Sequence, residues 1–163
     1  MPADERISER AITVGVISDT HGLLRPQAVA ALRGSDMIIH AGDVGNPDVI
    51  KALEDVAPTF VVRGNIDTGT WAADLPMTER VEVGEQVIYV LHEISQLDFD
   101  PAEVGFAAVV FGHSHQPLIE TRQGVLFLNP GSAGPRRFRL PIAVARIAVS
   151  GRHMRPEILE LQV

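Results

Sequence analysis

The sequence predicts an α/β fold in which two sheets lie face to face with helices on their outer sides. Five short apolar runs, Ile12–Ile17, Met37–Ile39, Phe60–Val62, Val87–Leu91 and Ala107–Phe111, are rich in β-branched residues and are followed closely by glycine or histidine, the look of fully buried strands. Helix signals separate the first three runs, which is the order of a parallel βαβαβ unit. The second half changes to pairs of strands around short turns, which implies a second, partly antiparallel sheet.

After a polar lead-in at residues 1–10, the first strand is expected at Ile12–Ile17. Pro26–Arg33 is rich in Ala and Leu and reads as a short helix ended by Gly34. Met37–Ile39 supplies the second strand. In the next helix Asn46 is the cap, Pro47 suits the first position, and Asp48 complements the positive helix end. Its Val49, Ile50, Leu53 and Val56 share one face at helical spacing. Phe60–Val62 is the third strand. Arg80–Val83 and Gln86–Leu91 flank Gly84-Glu85 as a hairpin. Asp100-Pro101-Ala102-Glu103 has a capping pattern, with Gly105 allowing little more than one helical turn before Ala107–Phe111. Leu118–Glu120 and Val125–Leu128 surround Gln123-Gly124, and Ala143–Val149 and Glu157–Leu161 surround Ser150-Gly151. With no repeat, low-complexity stretch or linker, residues 1–163 are expected to form a single domain.

Composition narrows the function classes. The 14 basic and 21 acidic residues leave a net charge of −7, without the field of a nucleic-acid coat or membrane-surface binder. There is no cysteine, which excludes disulfides and thiolate-bound metals. The charged Met1–Arg10 has no apolar signal core, and no apolar stretch reaches bilayer-spanning length, so the expected setting is the cytoplasm.

The strand ends carry the chemistry. The five runs lead in turn to Asp19 and His21, to His40 and Asp43, to Asn65, to His92, and to His113 and His115. Ligands of an open α/β sheet bind beyond the carboxyl ends of its strands, so these side chains are expected on one rim. Asp-x-His in a tight loop lets both side chains reach one ion, a carboxylate such as Asp43 can bridge two cations, and an amide carbonyl at Asn65 suits a hard or borderline cation. Taken singly, Asp19, Asp43 and Asn65 are ordinary turn residues, and a lone histidine is more often structural. Two histidines one residue apart, added to the other strand-end donors, favour metal. His40 reads as structural, behind the rim, and His153, between Arg152 and Arg155, as a surface residue.

In this series the chain resembles the calcineurin-like metallophosphoesterases, and within them the small bacterial and archaeal phosphodiesterase group that also contains the retromer scaffold subunit. The likeness runs from Asp19 to about Arg137 and includes Asn129-Pro130-Gly131-Ser132 followed by Pro135-Arg136. It implies a four-layer α/β/β/α sandwich of two mixed sheets. It further implies one divalent ion held by Asp19, His21, Asp43 and His115, and a second held by Asp43, Asn65, His92 and His113, with Asp43, Asn65 and His92 in the catalytic centre. Manganese is the first choice of metal, and iron, zinc, nickel or cobalt also suit nitrogen and oxygen donors. The chain departs from the pattern twice. Ile66 stands where larger members have a histidine proposed to protonate the leaving group, with Asp67 next to it, and Glu93 stands where relatives usually have glycine after the histidine, where it is expected to reshape the loop or crowd the second ion.

The expected function is therefore a binuclear metal-dependent phosphodiesterase in which a metal-bridging hydroxide attacks phosphorus. Without an imidazole at position 66, activated diesters are the expected substrates. Arg136, Arg137 and, with less support, Arg63 are candidate phosphate-binding residues, while Arg139 completes the basic run. Ser18 and Ser132 lack a general-base partner for covalent chemistry. Trp71 and Phe99 are read as core residues rather than a stacking wall. The expected partner is a small phosphodiester, with no membrane and no general nucleic-acid binding; exposed strand edges leave homo-oligomerisation open. The alternatives are a non-catalytic scaffold on the same fold, which would not need four rim histidines, and a phosphomonoesterase or nucleotide pyrophosphatase, disfavoured by Ile66.

Overall fold

The computed structural model describes residues 11–163, so the polar lead-in lies outside the described residues. Two mixed sheets of five strands each carry the fold. The first contains β1 (Ile12–Ile17), β2 (Met37–His40), β3 (Thr59–Val61), β9 (Ala143–Ser150) and β10 (His153–Glu160), in the order β10-β9-β1-β2-β3. The second contains β4 (Thr78–Val83), β5 (Gln86–Leu91), β6 (Ala108–Val110), β7 (Leu118–Arg122) and β8 (Val125–Asn129), in the order β4-β5-β6-β8-β7. β1, β2 and β3 are parallel, as are β5, β6 and β8, and antiparallel strands complete each sheet.

Strand alternation sorts the side chains into layers. One face of each sheet meets the other in a shared core: Val14, Val16, Ile39, Ala145 and Ile147 from the first, Ile88, Val90, Ala108, Val110 and Leu128 from the second. The opposite faces of the same strands look outward. Ile17, Ile38 and Val144 pack beneath helices α1 (Pro26–Leu32) and α2 (Pro47–Glu54), which contribute Ala28, Leu32, Val49 and Leu53. On the far side Leu91, Val109 and Phe127 are covered by Ile94, Leu97 and Ala102, the last from the single-turn helix α3 (Pro101–Val104). Each of these larger aliphatic side chains contributes about 1.5–3 kcal/mol by leaving water.

The local signals act as expected where a cap or turn defines them. Asn46 Oδ1 accepts from the N–H groups of Asp48 and Val49 at 3.0 and 3.3 Å, fixing the start of α2. Asp100 caps α3, and Gly105, at φ +92°, stops it after four residues. Gln123 and Gly124 both take positive φ in the β7–β8 hairpin, the backbone of a two-residue turn. β10 begins at His153, four residues before the apolar pattern indicates. Its first half alternates polar and apolar residues on an exposed edge, and register with β9 sets its length. Trp71 leans on the helix-side core, and Phe99 packs edge-on to Tyr89 at 5.0 Å, so neither forms a wall at the rim. Among the described residues no helix is long and apolar enough to cross a membrane.

Candidate metal centre

The carboxyl ends of β1, β2 and β3 in one sheet meet those of β5 and β6 in the other along one edge of the sandwich. The loops there form two donor groups, Asp19 with His21 and His115, and Asp43 with His92 and His113, each with ligand atoms within 4.8 Å of one another. Backbone strain holds them. Asp19, His21, Asp43, His113 and His115 all have positive φ, between 48° and 70°. Only two other non-glycine described residues do, Gln123 and Phe138. The left-handed region costs an ordinary residue about 1–2 kcal/mol, and its concentration at these five positions marks a site built at the expense of stability.

Asp19 is completely buried. Its Oδ2 accepts from Ser18 Oγ at 2.7 Å and from the His113 N–H at 3.1 Å. Oδ1 has no hydrogen-bond partner, yet it faces His115 Nε2 at 3.5 Å and His21 and His92 Nε2 at 3.9 Å each. Burial raises the Asp19 carboxyl above its ordinary range, against the lowering effect of Ser18 and His92. Ser132 Oγ donates to the Asp19 carbonyl at 3.0 Å. Ser18 and Ser132 thus position Asp19 and are not poised as nucleophiles.

Asp43 divides its oxygens. Oδ1 accepts from the Ile66 N–H at 3.0 Å, while Oδ2 lies 3.2 Å from His92 Nε2 and 3.6 Å from His21 Nε2, between the two donor groups. Burial raises its carboxyl, but contacts with His92 and the Ile66 N–H outweigh it and hold the group below its usual range. His92 Nδ1 lies 2.7 Å from the Ala41 carbonyl, an atom that only accepts, so Nδ1 carries a proton and Nε2 faces the cleft. Burial lowers His92, and bonds to Asp43 and Ala41 reverse this to a net rise. Asn65 Oδ1 sits 3.1 Å from the same Nε2, a contact that needs either a proton on that nitrogen or a cation between the two atoms. Turning the amide lets it donate to His92 and Asp43, whereas a cation between these atoms would be met by the amide oxygen without that turn. The unpartnered Asp19 Oδ1 and His21 Nε2 demand the same. The donor set fits divalent metal.

His40 is fully buried and is not one of the converging donors. Its Nδ1 accepts from the Gly42 N–H at 3.1 Å, so Nε2 donates to Thr20 Oγ1 at 3.0 Å, and Thr20 passes a bond to the Val44 carbonyl at 2.8 Å. This chain ties the Asp19 loop to the Asp43 loop. Burial and the neighbouring His92 push His40 down to about 3, keeping it neutral. Asp67, which sequence reasoning noted only as the neighbour of Ile66, is buried and accepts from three backbone N–H groups: Val44 at 3.1 Å, Gly45 at 3.0 Å and Gly64 at 2.9 Å. It binds the Asp43 loop to the Asn65 loop. A Cβ on Gly64 would run into Asp43 Oδ1 and the Asp43 backbone, which is why glycine stands there.

Glu93 Oε1 lies 3.4 Å from His113 Nε2 at the partly exposed side of the centre. The carboxylate touches the second donor group through His113 and is not itself one of that group's converging donors. Arg136 and Arg137 line a recess of ≈ 180 Å³ together with His21, His115 and Pro135. Burial, then Arg137, lowers His115 to about 4. The structure does not bring Arg63 into that recess: its Nε points to Met77 Sδ at 3.3 Å. His153 is exposed on β10, far from the rim in the fold. A larger hollow of ≈ 560 Å³ lies at the other end of the strands, among turn residues Glu85, Gln123 and Arg152, where no donor group converges among the described residues; volume is not what identifies the site.

Fold and donor geometry together define a metal-dependent phosphoesterase. Residues 12–152 match the calcineurin-like phosphoesterase superfamily domain, and the chain belongs to that family. A probable metallophosphoesterase of Methanothermobacter thermautotrophicus is 33% identical over 158 residues, covering 90% of this chain and 91% of the relative. Among solved structures, an archaeal phosphodiesterase aligns at a TM-score of 0.74 with 23% identity, covering 90% of this chain and 99% of the other. Vacuolar protein sorting 29 of Cryptosporidium parvum aligns at 0.75 with 18% identity, covering 93% and 98%. At those identities the two structures speak for the fold alone.

Proposed function

We propose that the chain is a binuclear phosphodiesterase, with Asp19, His21, Asp43 and His115 holding one divalent cation and Asp43, Asn65, His92 and His113 the other. The observation that carries this reading is the position of Asp43 Oδ2, 3.6 Å from His21 and 3.2 Å from His92, one oxygen facing both donor groups. Two divalent ions held there, manganese by preference, would lower the pKa of a bound water and offset charge on the phosphoryl oxygens.

The chain's own residues do the rest. His92, with Nδ1 fixed as a donor by the Ala41 carbonyl, would offer its Nε2 lone pair to a cation that displaces the proton Asp43 favours there. His40 and Asp67 keep the three loops of the first sheet in register. Arg136 and Arg137 offer guanidinium groups to a phosphoryl oxygen in the recess beside His21 and His115. Neither residue that follows Asn65 offers an acid to the leaving oxygen: Ile66 has none to give, and both Asp67 oxygens accept backbone N–H groups. The substrates are therefore diesters whose leaving group departs as a weak base. A relative of Methanocaldococcus jannaschii named a phosphodiesterase, 26% identical over 137 residues, supports the ester class.

The test is hydrolysis of bis(4-nitrophenyl) phosphate and of an alkyl phosphomonoester by purified protein stripped of metal and reloaded with manganese. Manganese-dependent diester hydrolysis, lost in Asp43→Ala together with metal uptake, is expected. Faster turnover of the alkyl monoester, or an active Asp43→Ala protein, would overturn the reading.

A further inference from the structure

Phe138 is the most exposed large apolar residue described, at 87%, and one of the few non-glycine residues with positive φ, +55°. It occupies the tip of a turn closed by the Leu140 N–H on the Arg137 carbonyl at 3.1 Å, a position where positive φ normally calls for Gly or Asn. Arg136 stiffens the turn by donating from Nη1 to the Leu140 carbonyl at 3.1 Å. At that exposure the ring buries little surface against the described residues, so packing there does little to offset the strain.

The foot of this loop is fastened to the metal centre. The Ala133 N–H donates to the Ser18 carbonyl at 3.1 Å, and Ser132 Oγ to the Asp19 carbonyl at 3.0 Å. A Cβ on Gly134 would strike the Thr20 and Asp19 carbonyls, so the chain there rests directly on the Asp19 loop. A rigid base beside Asp19 therefore leads through two arginines that line the His21–His115 recess to an aromatic ring held in water. Other exposed apolar side chains stand on rim loops as well. Ile66 is 40% exposed with its N–H on Asp43 Oδ1, Met77 lies against Arg63, and Leu23 follows the His21 turn.

We infer that Phe138 is a specificity-determining residue whose ring stacks on the aryl group of an aryl phosphodiester while Arg136 and Arg137 take its phosphoryl oxygens. This rests on the phosphodiesterase reading and names its substrate class. The chemistry agrees with the lack of a proton donor at Ile66 and Asp67. Hydrolysis breaks the P–O(aryl) bond and forms a P–O bond to water oxygen, one of whose protons passes to solvent. The phenoxide leaves with the bonding pair and is stable enough to depart without a proton from the protein. An apolar surface at Ile66 in place of an acid suits that leaving group.

The test measures binding, not turnover, by titration calorimetry on the manganese-loaded protein with phenylphosphonate and methylphosphonate, which share a head group and differ by the ring. Phe138→Ala weakens phenylphosphonate about tenfold, the usual scale of aromatic stacking, and leaves methylphosphonate unchanged. Phe138→Trp retains the preference for the phenyl ligand. Phe138→Gly, which suits the positive φ, loses it as Phe138→Ala does, with an unfolding temperature no lower than wild type. Equal weakening of both ligands, or no change in either, would overturn the inference. Those results would leave wild-type hydrolysis of bis(4-nitrophenyl) phosphate intact, whereas failure of the phosphodiesterase reading shows as its absence.

Discussion

Replacing Asp67 with asparagine tests how the centre is held together. The carboxylate accepts two N–H groups on Oδ2, from Val44 and Gly64, and one on Oδ1, from Gly45. An amide keeps one acceptor. If its oxygen serves the two-donor side, its NH2 group meets the Gly45 N–H, donor against donor. A buried donor left unsatisfied costs about 1–3 kcal/mol, and the two surviving bonds lose their charge assistance. A total near 3 kcal/mol is expected, which for a domain of this size lowers the unfolding temperature by roughly 6–12 °C. The same substitution loosens Asp43, adjacent to Val44, from Asn65, adjacent to Gly64, so manganese affinity falls too. Thermal unfolding of EDTA-treated protein at neutral pH gives the first quantity, and manganese titration the second. Asp67→Ala, which leaves three donors bare, is expected to be worse. A mutant protein unfolding with the wild type and binding manganese equally well would refute the reasoning.

Further outcomes follow from His40, Glu93 and Gly64. His40 stays neutral in the folded protein down to about pH 3, whereas in the unfolded chain it takes a proton near 6.5. Its contribution is therefore complete above about pH 6.5 and is lost as pH falls towards 3, because there the unfolded state binds the extra proton. Metal-free wild type should lose up to roughly 1.4 kcal/mol per pH unit to this group in that window, and His40→Gln should flatten the curve; parallel pH–stability curves would contradict it. Glu93→Gln removes the carboxylate facing His113 Nε2 and should weaken one of two manganese sites about tenfold, as loss of a carboxylate behind a ligand histidine does. Glu93→Gly should do the same, and isothermal titration showing two unaltered sites would count against that role. Gly64→Ala should displace Asp43 and abolish metal uptake while the sheets still form by circular dichroism; normal metal content would disprove the close approach.

Most of the scaffold and the donor set were legible because both follow from burial. Strands covered on two faces must be apolar throughout, so Val14–Ile17, Ile38–Ile39 and Val109–Val110 announce themselves, and polar residues at their ends stand out. Half-exposed strands hide. The first half of β10 alternates polar and apolar residues, and its length comes from pairing with β9. Asp67 carries no sequence signal for its part, since its partners are backbone N–H groups from loops brought near by β2 and β3. Positive φ at five donors is equally silent in residue type, because Asp and His are tolerated in many turns. Arg63 has the look of a phosphate ligand but spends its Nε on Met77, a contact set by where the β3 loop meets the start of β4. Phe138 did leave a trace, an aromatic set between Arg137 and Arg139, which the count of basic residues overshadowed.

The account turns on Asp43 joining two donor groups into one centre, and anomalous scattering from manganese-soaked crystals measures that directly. Two manganese peaks are predicted, one against Asp19, His21 and His115 and one against Asn65, His92 and His113, each also touching the Asp43 carboxylate. A single peak, or peaks away from Asp43, would contradict it.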